Sequence, residues 1–298
     1  MSWSGRSFAA LSLLLLAACA PPAPGRLTPE EAADTATRFL LRPVPVPPSV
    51  LAARERGTRT GNGEPGPNYW QQRVRYRIEA ELDPETALLR GRERIVYHNR
   101  SPAALPDVVL NLYQNVFSQG VPRNRTVPVT GGVTLERVVA QGQALEVRTP
   151  QQLRVAGDAR VVPGYSVQGT IARLLLPRPV APGDSVVLEI DWRHTVPPTG
   201  AFRTAWEDAL GGRVFQVAQW YPQVATFDDV RGWNTTPYLG DGEFYLEYGD
   251  WDVSLTLPAG WLVGASGELQ NAAEVLTPEA RQRLQIAATA DTTVRVVS

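Results

Sequence analysis

Residues 73–83 read Arg-Val-Arg-Tyr-Arg-Ile-Glu-Ala-Glu-Leu-Asp, a strict alternation of charged and apolar side chains. A period of two places successive side chains on opposite faces of a strand, so this stretch predicts a half-buried strand with a charged outer face. Residues 83–86, Asp-Pro-Glu-Thr, are typical of a turn. Apolar positions at Leu89, Gly91, Ile95 and Tyr97 then indicate a return strand, and the whole stretch predicts a β-hairpin.

The same alternation returns at residues 186–193 and at residues 251–257. Turn-forming Pro, Gly and Asp residues separate these stretches, and a helical period is evident only at residues 277–284. The fold class predicted for residues 69–298 is therefore mainly β, a saddle-like or sandwich domain of antiparallel sheet. Residues 292–297 again predict a strand. Because the sequence stops inside that strand, we expect it to be truncated before a further domain.

The first 19 residues have the organisation of a secretion signal. Arg6 supplies a positive charge, and residues 8–18 form an apolar run too short to span a bilayer as a helix. Residues 16–19, Leu-Ala-Ala-Cys, resemble the lipobox of bacterial lipoproteins. This resemblance implies that Cys19 is lipidated and anchors an exported protein in the cell envelope, and Ala20 after it favours the outer membrane or periplasm. The alternative is an ordinary signal peptide with an incidental cysteine.

Residues 20–68 predict a tether between this signal and the β domain. Prolines recur at both ends of the segment, and proline-rich stretches are extended and form no core. Residues 28–31, Thr-Pro-Glu-Glu, have capping-box spacing with Pro at the first helical position, which predicts one short helix ending near Leu41. Residues 57–67 again indicate a loop.

Composition excludes several classes of function. The formal net charge is −1 and no basic stretch stands out, so we expect no nucleic-acid partner. All basic side chains are Arg, which excludes a Schiff-base lysine and a phosphate-loop lysine. A single cysteine permits neither an intramolecular disulfide nor a cysteine-based zinc site.

Catalytic motifs are also missing from the sequence. It has two histidines, His98 and His194, both in strand-like surroundings and far apart, with no HExxH pair to bind zinc and no G-x-S-x-G elbow. The adjacent acids Asp228 and Asp229 could serve as an acid and a base, but such pairs are more often turn formers or solvated groups. We therefore assign no catalytic and no metal-binding residue to this chain.

Aromatic, Gly, Asn and Asp residues concentrate at residues 215–245. Such a mixture suits a loop that packs on another domain or lines a ligand cleft. A core hairpin with tightly packed aromatic side chains is an equally good interpretation.

The motifs along residues 69–270 resemble the amino-terminal β domain of M1-family zinc aminopeptidases, which are gluzincins. The opening hairpin, residues 99–102 (Asn-Arg-Ser-Pro) and residues 110–115 (Leu-Asn-Leu-Tyr-Gln-Asn) carry the first part of the resemblance. Residues 219–223 (Gln-Trp-Tyr-Pro-Gln) and residues 251–260 carry the second part.

This resemblance implies a β domain that lies over a separate catalytic domain and contributes substrate contacts. Gln219, with Ala225 six positions later, matches a glutamine that lines the family's pocket for the first residue of a peptide. The sequence departs from the family at Thr226, where many members have Arg, and at residues 227–229. The resemblance also implies zinc in the full-length protein, bound by sequence beyond Ser298.

Three hypotheses follow. The first is a non-catalytic, substrate-capping domain of an exported zinc peptidase, whose partners are a missing downstream catalytic domain, a peptide substrate and, through the lipid anchor, a membrane. The second is a stand-alone β-sandwich lipoprotein that binds a ligand or acts as a scaffold at the cell surface. The third is a peptidase-like protein whose complete chain has lost its zinc ligands.

Overall fold

The computed structural model describes residues 45–153, 162–199 and 202–297. The predicted signal with Cys19 and the predicted helix at residues 28–41 lie outside the described residues. The chain divides between Tyr69 and Trp70 into two compact units.

The amino-terminal unit contains helix α1, Pro48–Glu55, at a place where the proline pattern predicts an extended tether. Pro48 stands in the first turn, where its missing N–H costs no helical hydrogen bond, and the residues after it favour helix. The loop that follows folds back on itself, since Asn68 N donates to Gly57 O at 3.1 Å. Thr58 Oγ1 donates to Ala53 O at 3.0 Å and holds the loop to the end of α1.

The carboxy-terminal unit is built on a six-stranded sheet with the spatial order β14-β1-β2-β8-β4-β5. These strands are β1 (Arg73–Asp83), β2 (Leu88–His98), β4 (Thr134–Ala140), β5 (Gln143–Ala144), β8 (Ser185–Thr195) and β14 (Gly249–Thr256).

Strands β1 and β2 form the predicted hairpin. They pair antiparallel from Arg73 opposite His98 to Asp83 opposite Leu88. The apolar positions of both strands are buried, with Ile78 and Ile95 fully so. Each such side chain removed from water contributes about 1.5–3 kcal/mol, which is why the alternation fixes which face of the sheet turns inward.

A four-stranded sheet covers the inner face of the first, in the spatial order β11-β3-β7-β6. Its strands are β3 (Leu105–Asn111), β6 (Gly164–Gln168), β7 (Ile171–Val180) and β11 (Gln223–Val224). Leu110 and Leu174 of this sheet share one buried cluster with Ile78 and Leu188 of the other. The two sheets therefore enclose a common apolar core, which confirms the predicted mainly β fold.

Strand β14 is the one exception to antiparallel pairing within the two large sheets. It pairs parallel with β1, from Val74 opposite Gly249 to Glu81 opposite Thr256. The sheets are mostly antiparallel, as predicted, and β14 departs from that pattern because it is reached through a long connection and not through a hairpin turn. The register places Trp251, Val253 and Leu255 on the core side of the sheet, yet they are 43%, 41% and 41% exposed.

The remaining elements are short. The small sheets pair β9 (Ala205–Ala209) with β10 (Gly212–Gln216) and β12 (Phe227–Asp228) with β13 (Gly232–Trp233). The helices are a 3-10 helix (Tyr113–Phe117), α2 (Pro150–Leu153), α3 (Ala272–Val275) and α4 (Pro278–Ala287). None of the helices in the described residues is long and apolar enough to cross a membrane.

Helix α4 confirms the helical period seen near residue 277. Thr277 is its N-cap, since its Oγ1 accepts from Ala280 N at 3.2 Å, and Pro278 stands at its first position. The prediction of a strand at residues 292–297 was wrong, because these residues form no strand. A strand-like segment becomes a strand only when a neighbour supplies its hydrogen bonds, and residues 292–297 have no such pairing in the described part of the chain.

Candidate functional site

The segment between β10 and β11 contains Gln219, the predicted substrate contact, in an unusual backbone conformation. Gln219 has a φ of +48°, in the left-handed region that non-glycine residues rarely adopt. Such a conformation costs about 1–3 kcal/mol and persists only where the surroundings enforce it. The residues that enforce it therefore define how this segment is built.

Gln114 is the first residue that holds the segment. It lies in the 3-10 helix and is buried, and its Nε2 donates to Ala218 O at 2.8 Å and to Gln219 O at 3.1 Å. One side-chain amide thus ties down two successive carbonyl groups. These contacts fix the peptide planes on either side of the Gln219 Cα.

Thr204 holds the segment from the other side. Its buried hydroxyl donates to Ala218 O at 2.7 Å and accepts from Ala218 N at 3.0 Å. The hydroxyl therefore satisfies both backbone polar groups of the residue before Gln219. Gln114 Nε2 also lies 3.3 Å from Thr204 Oγ1, so the two side chains form one network.

His194 of β8 fixes the residue after Gln219. Its Nε2 lies 3.0 Å from Trp220 O, and because a carbonyl can only accept, Nε2 carries the proton. Burial lowers the pKa of His194 to about 4, so the ring is neutral near pH 7. His194 is therefore a buried hydrogen-bond donor. We call Gln114, Thr204 and His194 the Gln219 cradle.

The aromatic residues after Gln219 anchor the segment in the core. Trp220 packs against Trp192, with 5.7 Å between ring centroids, and Tyr221 makes an edge contact with Tyr76 at 5.5 Å. Tyr76 Oη in turn accepts from Val224 N at 2.9 Å. Most aromatic side chains of residues 215–245 therefore pack against the core, although Tyr245 is 53% exposed and Gln219 is partly exposed. The interpretation as a loop that packs on another domain or lines a ligand cleft stays a prediction.

A small cavity of about 10 Å³ opens beside Gln219. Gln219, Thr204 and Arg203 line it together with Phe202 and Tyr238. This volume is close to the space of a single water, so these lining residues enclose no ligand-sized cavity.

Two arginines lie near this cavity, each over an aromatic ring: Arg203 lines the cavity, and Arg125 lies over Phe202, which also lines it. Arg203 Cζ lies 5.0 Å from the centroid of the Phe244 ring, and Arg125 Cζ lies 4.7 Å from that of Phe202. Each also pairs with an acid of the same short segment. Arg203 Nη2 lies 3.1 Å from Glu243 Oε1, and Arg125 Nη2 lies 3.3 Å from Asp241 Oδ1.

The two histidines are not brought together. His98 stands at the end of β2 opposite Ser185, whereas His194 stands opposite Leu89 near the other end of the same strand pair. The described residues contain no group of three or more His, Cys, Asp or Glu side chains placed to hold a metal ion. The described residues thus offer no ligand set for the zinc that the resemblance implies for the full-length protein.

The other residues that the sequence analysis named near Gln219 are buried or bonded to the local backbone. Asp228 Oδ1 accepts from Val230 N at 2.9 Å and from Arg231 N at 2.6 Å, which makes it a turn former. Ala225 is fully buried beside β3. Thr226, at the position where the family often has Arg, is buried and donates to Tyr245 O at 3.0 Å.

Two acids that the sequence analysis missed have raised pKa values, the buried Glu93 and the half-buried Glu247. Glu93 is 3% exposed, neither of its carboxylate oxygens has a partner in the described part of the chain, and burial raises its pKa well above the usual range. Glu247 has its pKa raised to about 7, mainly by burial. The signal for Glu93 is present in the sequence, because it occupies an inward position of the β2 alternation between Gly91 and Ile95.

Solved structures similar to this chain are M1 zinc metallopeptidases. That of Deinococcus radiodurans covers 70% of this chain at 16% identity with a TM-score of 0.37, and the match covers 37% of that protein. A mutant from that organism bound to a Tyr-Ser-Ala substrate gives the same identity and TM-score and is covered over 38% of its length. The chain therefore spans less than two-fifths of these proteins. No family model matches the sequence, and no curated protein matches it.

Proposed function

We propose that the carboxy-terminal unit is a substrate-capping domain of an exported, M1-like zinc metallopeptidase, in which Gln219 contacts the peptide. The sequence motifs along residues 69–270 suggest this family. The observation that carries the proposal is the Gln219 cradle. Three buried polar side chains from distant parts of the chain hold a partly exposed glutamine in a strained conformation, at the position that the resemblance assigns to substrate contact.

The proposed role of Gln219 is to position the peptide. Its backbone is held on both sides, so its side-chain amide projects from a fixed point beside the cavity, where it can donate to and accept from a peptide. A rigid support lowers the entropy lost when a ligand binds. Peptide-bond hydrolysis belongs to the full-length protein, and no step of it is assigned to the residues of this chain.

The decisive experiment uses the protein encoded by the complete reading frame. We expect the sequence after codon 298 to encode an HExxH helix, and we expect Gln219→Ala to raise KM for short peptides with a smaller effect on kcat. Loss of uniform binding has this kinetic signature. A reading frame that ends at codon 298, together with peptide binding that is insensitive to Gln219→Ala, would support the stand-alone binding or scaffold lipoprotein instead.

We also propose that Cys19 carries the lipid anchor. Acyl chains bind a membrane through about 0.8 kcal/mol per buried methylene, so one modified cysteine changes the location of the whole chain. We expect the expressed protein to partition into the detergent phase and Cys19→Ala to remain in the aqueous phase. Equal partition of both proteins, with no added mass on Cys19, would contradict the anchor.

A further inference from the structure

Two acids of one short segment, Asp241 and Glu243, form ion pairs with the two arginines near the Gln219 cavity. Their carboxylates lie where the carboxylate of a bound ligand could lie. Arg203 lines the cavity itself, and Arg125 lies over Phe202, which also lines it. This arrangement suggests which ligands the site accepts. The inference developed from it rests on the proposed peptide-binding role.

The guanidinium groups are held in place independently of their acidic partners. Phe202, the ring under Arg125, packs against Tyr238 and leaves no room for a Cβ on Gly240. Phe244, the ring under Arg203, packs against Tyr113 and Tyr238. A cation over a fixed aromatic face is attracted to it without any counter-ion. The arginines are therefore preorganised for an anion.

The acidic partners are held much more weakly. Glu243 is 86% exposed and meets Arg203 through one oxygen and one nitrogen, and in the described part of the chain the Arg203 side chain makes no other hydrogen bond. Exposed pairs of this kind contribute little. The pair between Arg125 and Asp241 is likewise exposed, since more than half of each side chain is accessible to solvent. The acids can therefore leave without disturbing the core.

We propose that Arg203 binds a carboxylate of the peptide ligand, displacing Glu243, and that Arg125 strengthens the local positive potential. The site would then prefer peptides with an acidic side chain at the residue held beside Gln219. A guanidinium and a carboxylate can form two parallel hydrogen bonds, whereas Glu243 makes one. An entering carboxylate therefore gains a contact that the internal one lacks.

Side-chain NMR of the full chain tests this directly. The chain has 29 basic residues, all Arg, so arginine-specific ¹⁵N labelling reports every cationic side chain through its Nε–H resonance. The ligands are Glu-Ala-Ala and Gln-Ala-Ala, both amidated at the carboxyl end so that they differ only in the side-chain group. They are titrated to millimolar concentrations, and the Gln219 backbone amide is followed in parallel.

We expect the Glu peptide to shift the Arg203 Nε–H resonance and to bind about tenfold more tightly than the Gln peptide. Arg203→Gln should remove that difference while both peptides still perturb Gln219. Glu243→Gln frees Arg203 and should tighten the Glu peptide by about two- to fivefold. Arg90→Gln is the matched control, because Arg90 forms an exposed pair with Glu81 at 2.9 Å away from the cavity, and it should change neither affinity.

The outcomes separate this inference from the proposed function. Equal affinity for the two peptides, or shifts as large at Arg90 as at Arg203, would overturn the carboxylate site and leave the peptide site standing. Failure of both peptides to perturb Gln219 would overturn the peptide site and the carboxylate site together. An unchanged amide spectrum for Arg203→Gln confirms that a lost preference does not come from unfolding.

Discussion

The strain at Gln219 can be measured by comparing two substitutions that both remove its side chain. Gln219→Ala keeps a Cβ at a φ of +48°, whereas Gln219→Gly removes the steric conflict. A Cβ in the left-handed region costs about 1–2 kcal/mol, and the greater freedom of unfolded glycine offsets part of it, about 0.4–1 kcal/mol. We therefore expect Gln219→Gly to be more stable than Gln219→Ala by about 1 kcal/mol.

The assay is urea unfolding followed by tryptophan fluorescence, with peptide binding measured on the same two proteins. A difference of about 1 kcal/mol corresponds to about 2–4 °C in Tm for a domain of this size. Both variants should lose peptide affinity to the same extent, since each lacks the side-chain amide. Stability and binding would then separate, which a purely structural role for Gln219 does not allow.

A matched control exists in the turn between β4 and β5. Gln141 also has a positive φ, +52°, and lies away from the cavity. Gln141→Gly should exceed Gln141→Ala in stability by a similar amount, with peptide binding unchanged in both. Equal unfolding midpoints for Gln219→Ala and Gln219→Gly would refute the claim that the cradle enforces strain. Wild-type peptide affinity in both variants would refute the contact.

Three further predictions concern buried groups. His194→Leu leaves the Trp220 carbonyl without its donor and should lower the free energy of unfolding by about 1–3 kcal/mol, with His194→Gln as partial rescue. The pKa of His194 is about 4 in the folded state and 6.5 in its usual surroundings, so between these pH values the unfolded state binds a proton that the folded state does not. The stability present above pH 6.5 is therefore lost as the pH falls towards 4. His194→Leu should make the free energy of unfolding, measured in urea, less dependent on pH over this range. Glu93 gives the opposite pH dependence of stability, because its pKa is raised in the folded state: stability is highest below the usual pKa of 4.5 and falls as the pH rises. Glu93→Gln should therefore stabilise the protein at pH 7 but hardly at pH 4. Equal gains in stability at both pH values would contradict a protonated Glu93. Gly91→Ala would place a Cβ 2.5 Å from Trp192 Cζ2 and should cost about 1–3 kcal/mol by thermal unfolding, whereas Gly61→Ala, with open space around it, should cost almost nothing.

The hairpin and the mainly β class could be predicted from sequence because each depends on local pattern. Alternation at residues 73–83 decides which side chains turn inward, and burial of Tyr76 and Ile78 follows from it. The direction of β14 could not be predicted in this way, since alternation is the same for parallel and antiparallel neighbours. Residues 292–297 show the converse, because a strand-like sequence forms no strand where no neighbour pairs with it among the described residues.

The candidate site was predictable only at the level of one residue. The motif around Gln219 marks its position, but a positive φ at a glutamine has no sequence signature, and the residues that impose it come from three distant segments. The sequence indicates that His194 is a polar residue near a strand end, and it does lie one residue before the end of β8, but its burial was not predicted. Its burial depends on Trp220 packing over the same face of β8, a contact between residues 26 positions apart.

Because the three residues of the Gln219 cradle come from separate elements, a substitution far from Gln219 can change the conformation of Gln219. Gln114 follows β3, His194 lies on β8 and Thr204 precedes β9. The conformation of Gln219 therefore depends on how the two large sheets pack against each other. A substitution that shifts the packing of Trp192 on Gly91 would move β8, and with it His194, without touching Gln219. Gly91→Ala should therefore weaken peptide binding as well as stability, whereas Gln141→Ala should affect stability alone. If Gly91→Ala kept full affinity at temperatures where it remains folded, the cradle would be positioned locally and not through the core.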